Sequence, residues 1–224
     1  MIDVPTATKA AIEIQWQICQ KLIREKVVDT AKIHLVAGAD AAYTTNEVIA
    51  GITVMSVPQL KVECMSIAAE KVQFPYIPGL LAFREGPAVI SAYEKLEQVP
   101  DVILFNGHGY AHPRRCGLAS HLGILLDIPS IGVADKLMVG VSGTIGADRG
   151  SMAPVDDGNE RIAMSVRTKE NARPIYISIG HKVDLDQAVD LVIATTTRHR
   201  IPEPLWLTDQ YVRKESKKGI IFMN

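Results

Sequence analysis

VILFNGHGYAHPRRCGLASHLG, residues 102–123, decides how the chain is read. Its first four residues, Val102 to Phe105, are apolar and follow a turn at Pro100-Asp101, the pattern of a short strand buried on both faces. The strand runs into a polar glycine turn, Asn106-Gly107-His108-Gly109, then a basic turn with His112, Arg114 and Arg115, then an apolar helix over 116–126. Polar groups at the carboxyl end of a buried parallel strand stand where open α/β sheets hold their ligands. Taken alone, the same turn also fits a purely geometric role with solvated histidines and arginines. The rest of the chain decides between the two.

At 224 residues the chain has room for one large domain or two small ones, and without a repeat or low-complexity linker it reads as a single domain, 1–224. A hydrophobic content of 47% supplies a full core, while a formal net charge of −1 argues against a globally basic nucleic-acid coat. A local basic groove remains open, because phosphates need clustered rather than net charge. Cys19, Cys64 and Cys116 lack metal-ligand spacing and read as reduced thiols. No secretory leader and no membrane-length apolar run is apparent, so a soluble cytoplasmic protein is expected.

Ile12, Trp16, Cys19 and Ile23 recur at helical spacing and predict an amphipathic helix over 6–27, opened by Pro5-Thr6. Two β-prone runs within 34–57 flank a break at Thr44-Thr45-Asn46, and a third follows over 61–72, which together predict a three-strand meander. Gly38 inside the first strand marks a bulge or a close backbone approach. Prolines at 75, 78 and 87 exclude one uninterrupted helix over 74–87 and predict a helix starting at Pro87, over 87–98, burying Val89, Ala92, Tyr93 and Leu96. Ser130 to Ala134 reads as a strand, 140–151 as a loop, and 161–166 with 174–179 as a hairpin. Asp184 and Gln187 form a capping box ahead of an apolar helical stripe, and a basic segment, 196–218, closes the sequence.

Meander, helix, buried strand, helix, strand is the order of the ribonuclease H-like architecture. The expected fold is therefore α/β, a mixed central sheet with an antiparallel three-strand meander followed by parallel strands and helices on both faces. In such folds acids from the first strand, the next helical segment and the fourth strand converge on a divalent metal. Asp40, Glu85 and Asn106 occupy those places. Asp40 lies in an apolar strand, where a carboxylate is costly without a partner or a cation. Glu85 precedes Gly86-Pro87, whose restricted backbone fixes its direction. Hard oxygen donors of this kind suit Mg²⁺.

GADAAY, PYIPGLLAFRE, NGHGYAHPRRCGLASHLG, IPSIGVA, SIGHKV and RIPEPLWLTD, in order over about 34–213, resemble the endonuclease V family. The resemblance implies a ribonuclease H-like core, Mg²⁺ (or Mn²⁺) as cofactor, and inosine-containing DNA or RNA as partner. It also implies hydrolysis of the second phosphodiester 3′ to inosine, in DNA repair or RNA turnover; a monomer with no membrane association is expected. By the same resemblance Asp40 and Glu85 fall on catalytic metal-site acids, with Asn106 at a metal-ligand position. His112 matches an active-site histidine and Asp209 a late acid. Tyr76, between Pro75, Ile77 and Pro78, falls on the wedge that fills the stack when the base is flipped out. Independently, flanking prolines stiffen an aromatic that can replace a lost stacking partner. Gly79, Gly107 and Gly109 match glycines around the family's base pocket, and Arg114 and Arg115 are placed to meet phosphates.

Two positions depart from the family pattern. Asn106 stands where the family has aspartate, and Asp135 where it has lysine. Losing one carboxylate charge beside a dication costs on the order of a few kcal/mol at an effective dielectric of about 20. An acid at 135 opposes rather than stabilises charge on a reacting phosphate. Either Asp135 has become a catalytic acid or metal ligand that restores the missing carboxylate, or the chain is an inosine-binding homologue with weak or lost hydrolysis.

Overall fold

The computed structural model describes residues 4, 5 and 7–221. Alternating and continuous apolar runs give a nine-stranded sheet in the order β3-β2-β1-β4-β5-β9-β8-β7-β6. Strands β1 (Leu35–Tyr43), β2 (Glu47–Ser56) and β3 (Val62–Lys71) form the antiparallel meander. Strands β4 (Val102–Asn106), buried up to its exposed last residue, and the fully buried β5 (Ser130–Ala134) add parallel to β1, as their apolar runs require. The sheet then continues antiparallel through β9 (Ile175–His181), β8 (Glu160–Val166), β7 (Met152–Asp157) and β6 (Val141–Ser142). This is the expected ribonuclease H-like α/β arrangement, with an antiparallel extension beyond β5.

Helices cover both faces. On one side α1 (Thr8–Cys19), α2 (Leu81–Tyr93) and α3 (Leu118–Leu126) enclose a core with Phe83, Phe105 and Leu122. On the other, α4 (Leu185–Ala194) lies on β8 and β9, and α5 (Glu203–Ile221) on β1, β2 and β4. Gly38 is a close approach rather than a bulge: a Cβ there would stand 2.4 Å from the Leu205 nitrogen. α5 therefore seats directly on β1, where Thr208 Oγ1 donates to the Gly38 carbonyl at 2.9 Å.

Several local expectations change. The first helix covers Thr8–Cys19 rather than 6–27, and its buried residues are Ala11 and Gln15, while Trp16 and Ile23 are exposed. Thr6 and the Lys218 side chain lie outside the described residues. The helix expected over 87–98 begins earlier, at Leu81, with Pro87 inside it. Burial of Phe83, Ala88, Val89 and Ala92 outweighs the roughly 3 kcal/mol that an interior proline costs. The 140–151 segment contains β6, and β7 was not expected. Asp184 caps α4 by accepting from the Gln187 N–H at 2.7 Å, but the Gln187 amide turns away to the Val28 carbonyl, so the box is half formed. Much of the basic closing segment is α5 itself.

Candidate active site

Side chains alternate along a strand, so Asp40 shares a face with Gly38 and Asn106 with Leu104, both toward α5. The register pairs Ala39 with Phe105, which sets Asp40 and Asn106 side by side at the carboxyl edge of β1 and β4. Glu85 reaches this edge from the other face, in the second turn of α2. There its Oε1 accepts from the Tyr43 hydroxyl at 2.6 Å, and the Arg84 guanidinium lies 4.8 Å over the Tyr43 ring.

Burial is the dominant electrostatic fact. It lifts Asp40 to about 6, against lowering by the Asn106 amide and the Ala41 N–H, with a further upward push from Asp209. It lifts Glu85 to about 7, opposed by the Tyr43 hydrogen bond and assisted by the Asp40 charge. Arg213 and Arg84 are the weakest influences on the two acids. A buried and a partly buried carboxylate that repel one another and are poorly matched by the protein's own cations form a site that a divalent ion would relieve. Asp40, Glu85 and the Asn106 amide oxygen are hard donors that fit Mg²⁺ or Mn²⁺. Among the described residues no three His, Cys, Asp or Glu side chains are grouped closely enough to hold a metal without such an amide. Asp209, one turn beyond the Gly38 contact on α5, is paired with Arg213.

The β3–α2 loop leaves the same edge, because β3 runs parallel to β1. Tyr76 projects from it, 68% exposed, flanked by Pro75, Ile77 and Pro78. Gly79 closes the loop with φ +83°, a conformation a side chain would strain. Between this loop and the 107–117 loop opens a small cleft lined by Gln15, Gly79, Gly107, His108, His112 and Met138, among others.

Of the other expected site residues, His112 lines this cleft, and Arg115, Gly109 and Asp135 make their contacts elsewhere. His112 is buried and held neutral, its pKa lowered to about 4 by burial and then by Arg114. Both its ring nitrogens are engaged, Nε2 with the Gly79 carbonyl at 3.0 Å and Nδ1 with the Arg114 N–H at 3.1 Å, so it bridges the cleft walls. Arg114 donates to the Gly79 carbonyl and to Gln15. Arg115 is paired with Asp157 and Glu160. Both guanidinia are thus engaged within the protein, Arg114 through Nε and Nη2 and Arg115 through all three of its nitrogens. Gly109 is packed against the Ile179 carbonyl of β9 rather than into the cleft. Asp135 is exposed and paired with Arg200.

Tyr43, Arg84 and Gln15 were not foreseen. Gln15 had one usable signal, a polar side chain on the helix face that also carries Ala11.

The sheet order, with acids at the carboxyl edge of its central strands, defines a protein of the ribonuclease H-like class. A family model described as Endonuclease V matches residues 17–210. Endonuclease V of Roseiflexus sp. (strain RS-1) is 42% identical over 199 residues, covering 89% of each chain. The crystal structure of Endonuclease V from Streptomyces avermitilis superposes with a TM-score of 0.92 at 37% identity, covering 97% of this chain and 96% of that one. Endonuclease V of Ciona intestinalis, solved in complex with a 24mer DNA containing an inosine followed by a ribo-adenosine, has a TM-score of 0.82 at 30% identity, covering 94% of this chain and 98% of that one. The chain belongs to the endonuclease V family.

Proposed function

We propose that this protein is a metal-dependent endonuclease that recognises inosine in nucleic acid and hydrolyses the second phosphodiester on its 3′ side. It works as a single-domain monomer in the cytoplasm, in repair of deaminated adenine or in cleavage of inosine RNA. The observation that carries the reading is the meeting of Asp40, Glu85 and Asn106 at the edge from which the Tyr76 loop and the small cleft also open. Tyr76 fills the stack vacated by an extruded base, and the cleft accepts that base. Asp40, Glu85 and Asn106 would hold Mg²⁺, with Mn²⁺ an alternative, and the ion would supply Lewis-acid polarisation of the scissile phosphate. The Tyr43 hydroxyl fixes one Glu85 oxygen and leaves the other for that role. Among the described residues no helix is long and apolar enough to cross a membrane.

A homologue that binds inosine but has lost hydrolysis is not favoured. Asn106 keeps an oxygen donor, and the Asp135 charge is matched by Arg200.

Matched inosine DNA, inosine RNA and adenosine control strands, incubated with Mg²⁺ or with chelator, test the proposal. Cleavage confined to inosine strands and to the divalent-ion lanes is expected. Equal cutting of the control strand, or full activity in chelator, would overturn it.

A further inference from the structure

Gln15 belongs to α1, which supplies none of the acids, the wedge or the cleft loops, yet it is only 1% exposed. Its Nε2 donates to the Gly79 carbonyl at 2.9 Å and to the Cys116 carbonyl at 2.6 Å, while its Oε1 accepts from Arg114 Nε. One amide thus spends both of its donors and its acceptor on two loops separate from its own helix. Gly79 ends the Tyr76 loop; Arg114 and Cys116 belong to the 107–117 loop opposite. The Gly79 carbonyl also receives His112 Nε2 at 3.0 Å and Arg114 Nη2 at 2.8 Å, so three side chains converge on one backbone oxygen.

We propose that Gln15 is a positioning residue for base discrimination: by tying Gly79 to Cys116 and Arg114, it sets the separation of the two walls between which a flipped purine is read. This rests on the function proposed above. Hypoxanthine and adenine have nearly the same outline and differ in donors and acceptors at the six-position and N1. A wall must therefore be held within about 0.5 Å for the wrong base to leave polar groups unpaired. The acids stand on β1 and α2 and do not depend on Gln15 for a hydrogen bond, so loosening the clamp affects recognition before chemistry. Two buried carbonyls and a guanidinium would lose a partner together on its removal.

Gln15→Leu removes all three bonds with little change in length, and Gln15→Glu keeps the shape but replaces donors with acceptors facing two carbonyls. Two readouts are compared with wild type. The first is the ratio of kcat/KM for inosine over adenosine strands with Mg²⁺. The second is the ratio of strand affinities in chelator, measured by fluorescence anisotropy. Both ratios should fall on the order of tenfold or more in either variant, with the cleavage loss mainly in KM. A merely structural role would lower activity on both strands in proportion and leave the ratios unchanged, which would overturn the proposal. Should Gln15→Leu fail to fold, Gln15→Glu carries the test. Should Gln15→Glu fail as well, the anisotropy ratio of wild type against Arg114→Lys, which lacks the Nε partner of Gln15, decides: an unchanged ratio counts against the clamp. Wild type that does not distinguish the strands refutes the proposed function itself, a result separate from unchanged ratios in the variants.

Discussion

Replacing Gly38 by alanine tests how the last helix completes the acidic edge. The added Cβ would lie 2.4 Å from both Leu205 N and Pro204 C and 2.6 Å from Pro204 O. Ordinary contact requires roughly 1 Å more, and every atom met is backbone, so α5 must withdraw as a body. Overpacking of this kind costs about 1–3 kcal/mol. Withdrawal also stretches the Thr208 bonds to the Gly38 carbonyl and to Thr53 Oγ1, now 2.9 and 2.7 Å, adding about 1 kcal/mol. The better strand propensity of alanine returns about 0.5–1 kcal/mol. A net destabilisation of about 1–3.5 kcal/mol is expected from urea unfolding, together with reduced cleavage, because α5 carries Asp209 and Arg213 toward Asp40. Gly143→Ala is the control, since its added Cβ meets nothing nearer than 3.4 Å. Equal urea midpoints for Gly38→Ala and the control would refute the argument that α5 is seated on a bare backbone.

Tyr76→Ala should leave the unfolding midpoint unmoved, as the ring is 68% exposed, yet lose about 1–3 kcal/mol of affinity for an inosine strand; unchanged affinity would remove the wedge. Burial disfavours the ionised form of Glu203, but the Arg198 N–H, His199 and Thr197 outweigh it and hold its pKa at about 2, below the usual 4.5. That stabilisation, at most about 3 kcal/mol, is complete above pH 4.5 and is lost as pH falls toward 2. Glu203→Gln should therefore melt earlier at pH 7 and match wild type near pH 2; parallel curves would contradict the assignment. His121 is buried edge-on against Phe83 with neither ring nitrogen bonded, and burial lowers its pKa from 6.5 to about 4. The unfolded chain takes up that proton first, so stability falls as pH drops from about 6.5 to about 4. His121→Leu should gain on wild type across that window in urea titrations, and a gap independent of pH would argue against it.

The sheet's left half was legible because its signals are local. The meander announces itself by β-prone runs and breaks, and β4 by four apolar residues between turns. β7 escaped because Pro154 removes a ladder donor and normally demotes a strand. The start of α2 escaped because Pro87 is a good first residue of a helix, and only tertiary packing places it in the middle. Asp40 and Glu85 could be picked out as acids in apolar or restricted surroundings. The fates of Arg114 and Arg115 could not, since they depend on Gln15, 99 residues away from Arg114, and on Glu160, 45 residues from Arg115. Gln15 itself bonds partners 64 and 101 positions distant, which no spacing rule encodes.

The seat of α5 on Gly38 joins residues 170 positions apart. During synthesis from the amino end, Tyr76, the cleft loops, Asp40 and Glu85 all leave the ribosome well before Asp209. The helix that brings Asp209 near Asp40 is thus the last part of the acidic edge to be made. Its docking on one bare glycine joins the end of the sequence to the strand that carries Asp40.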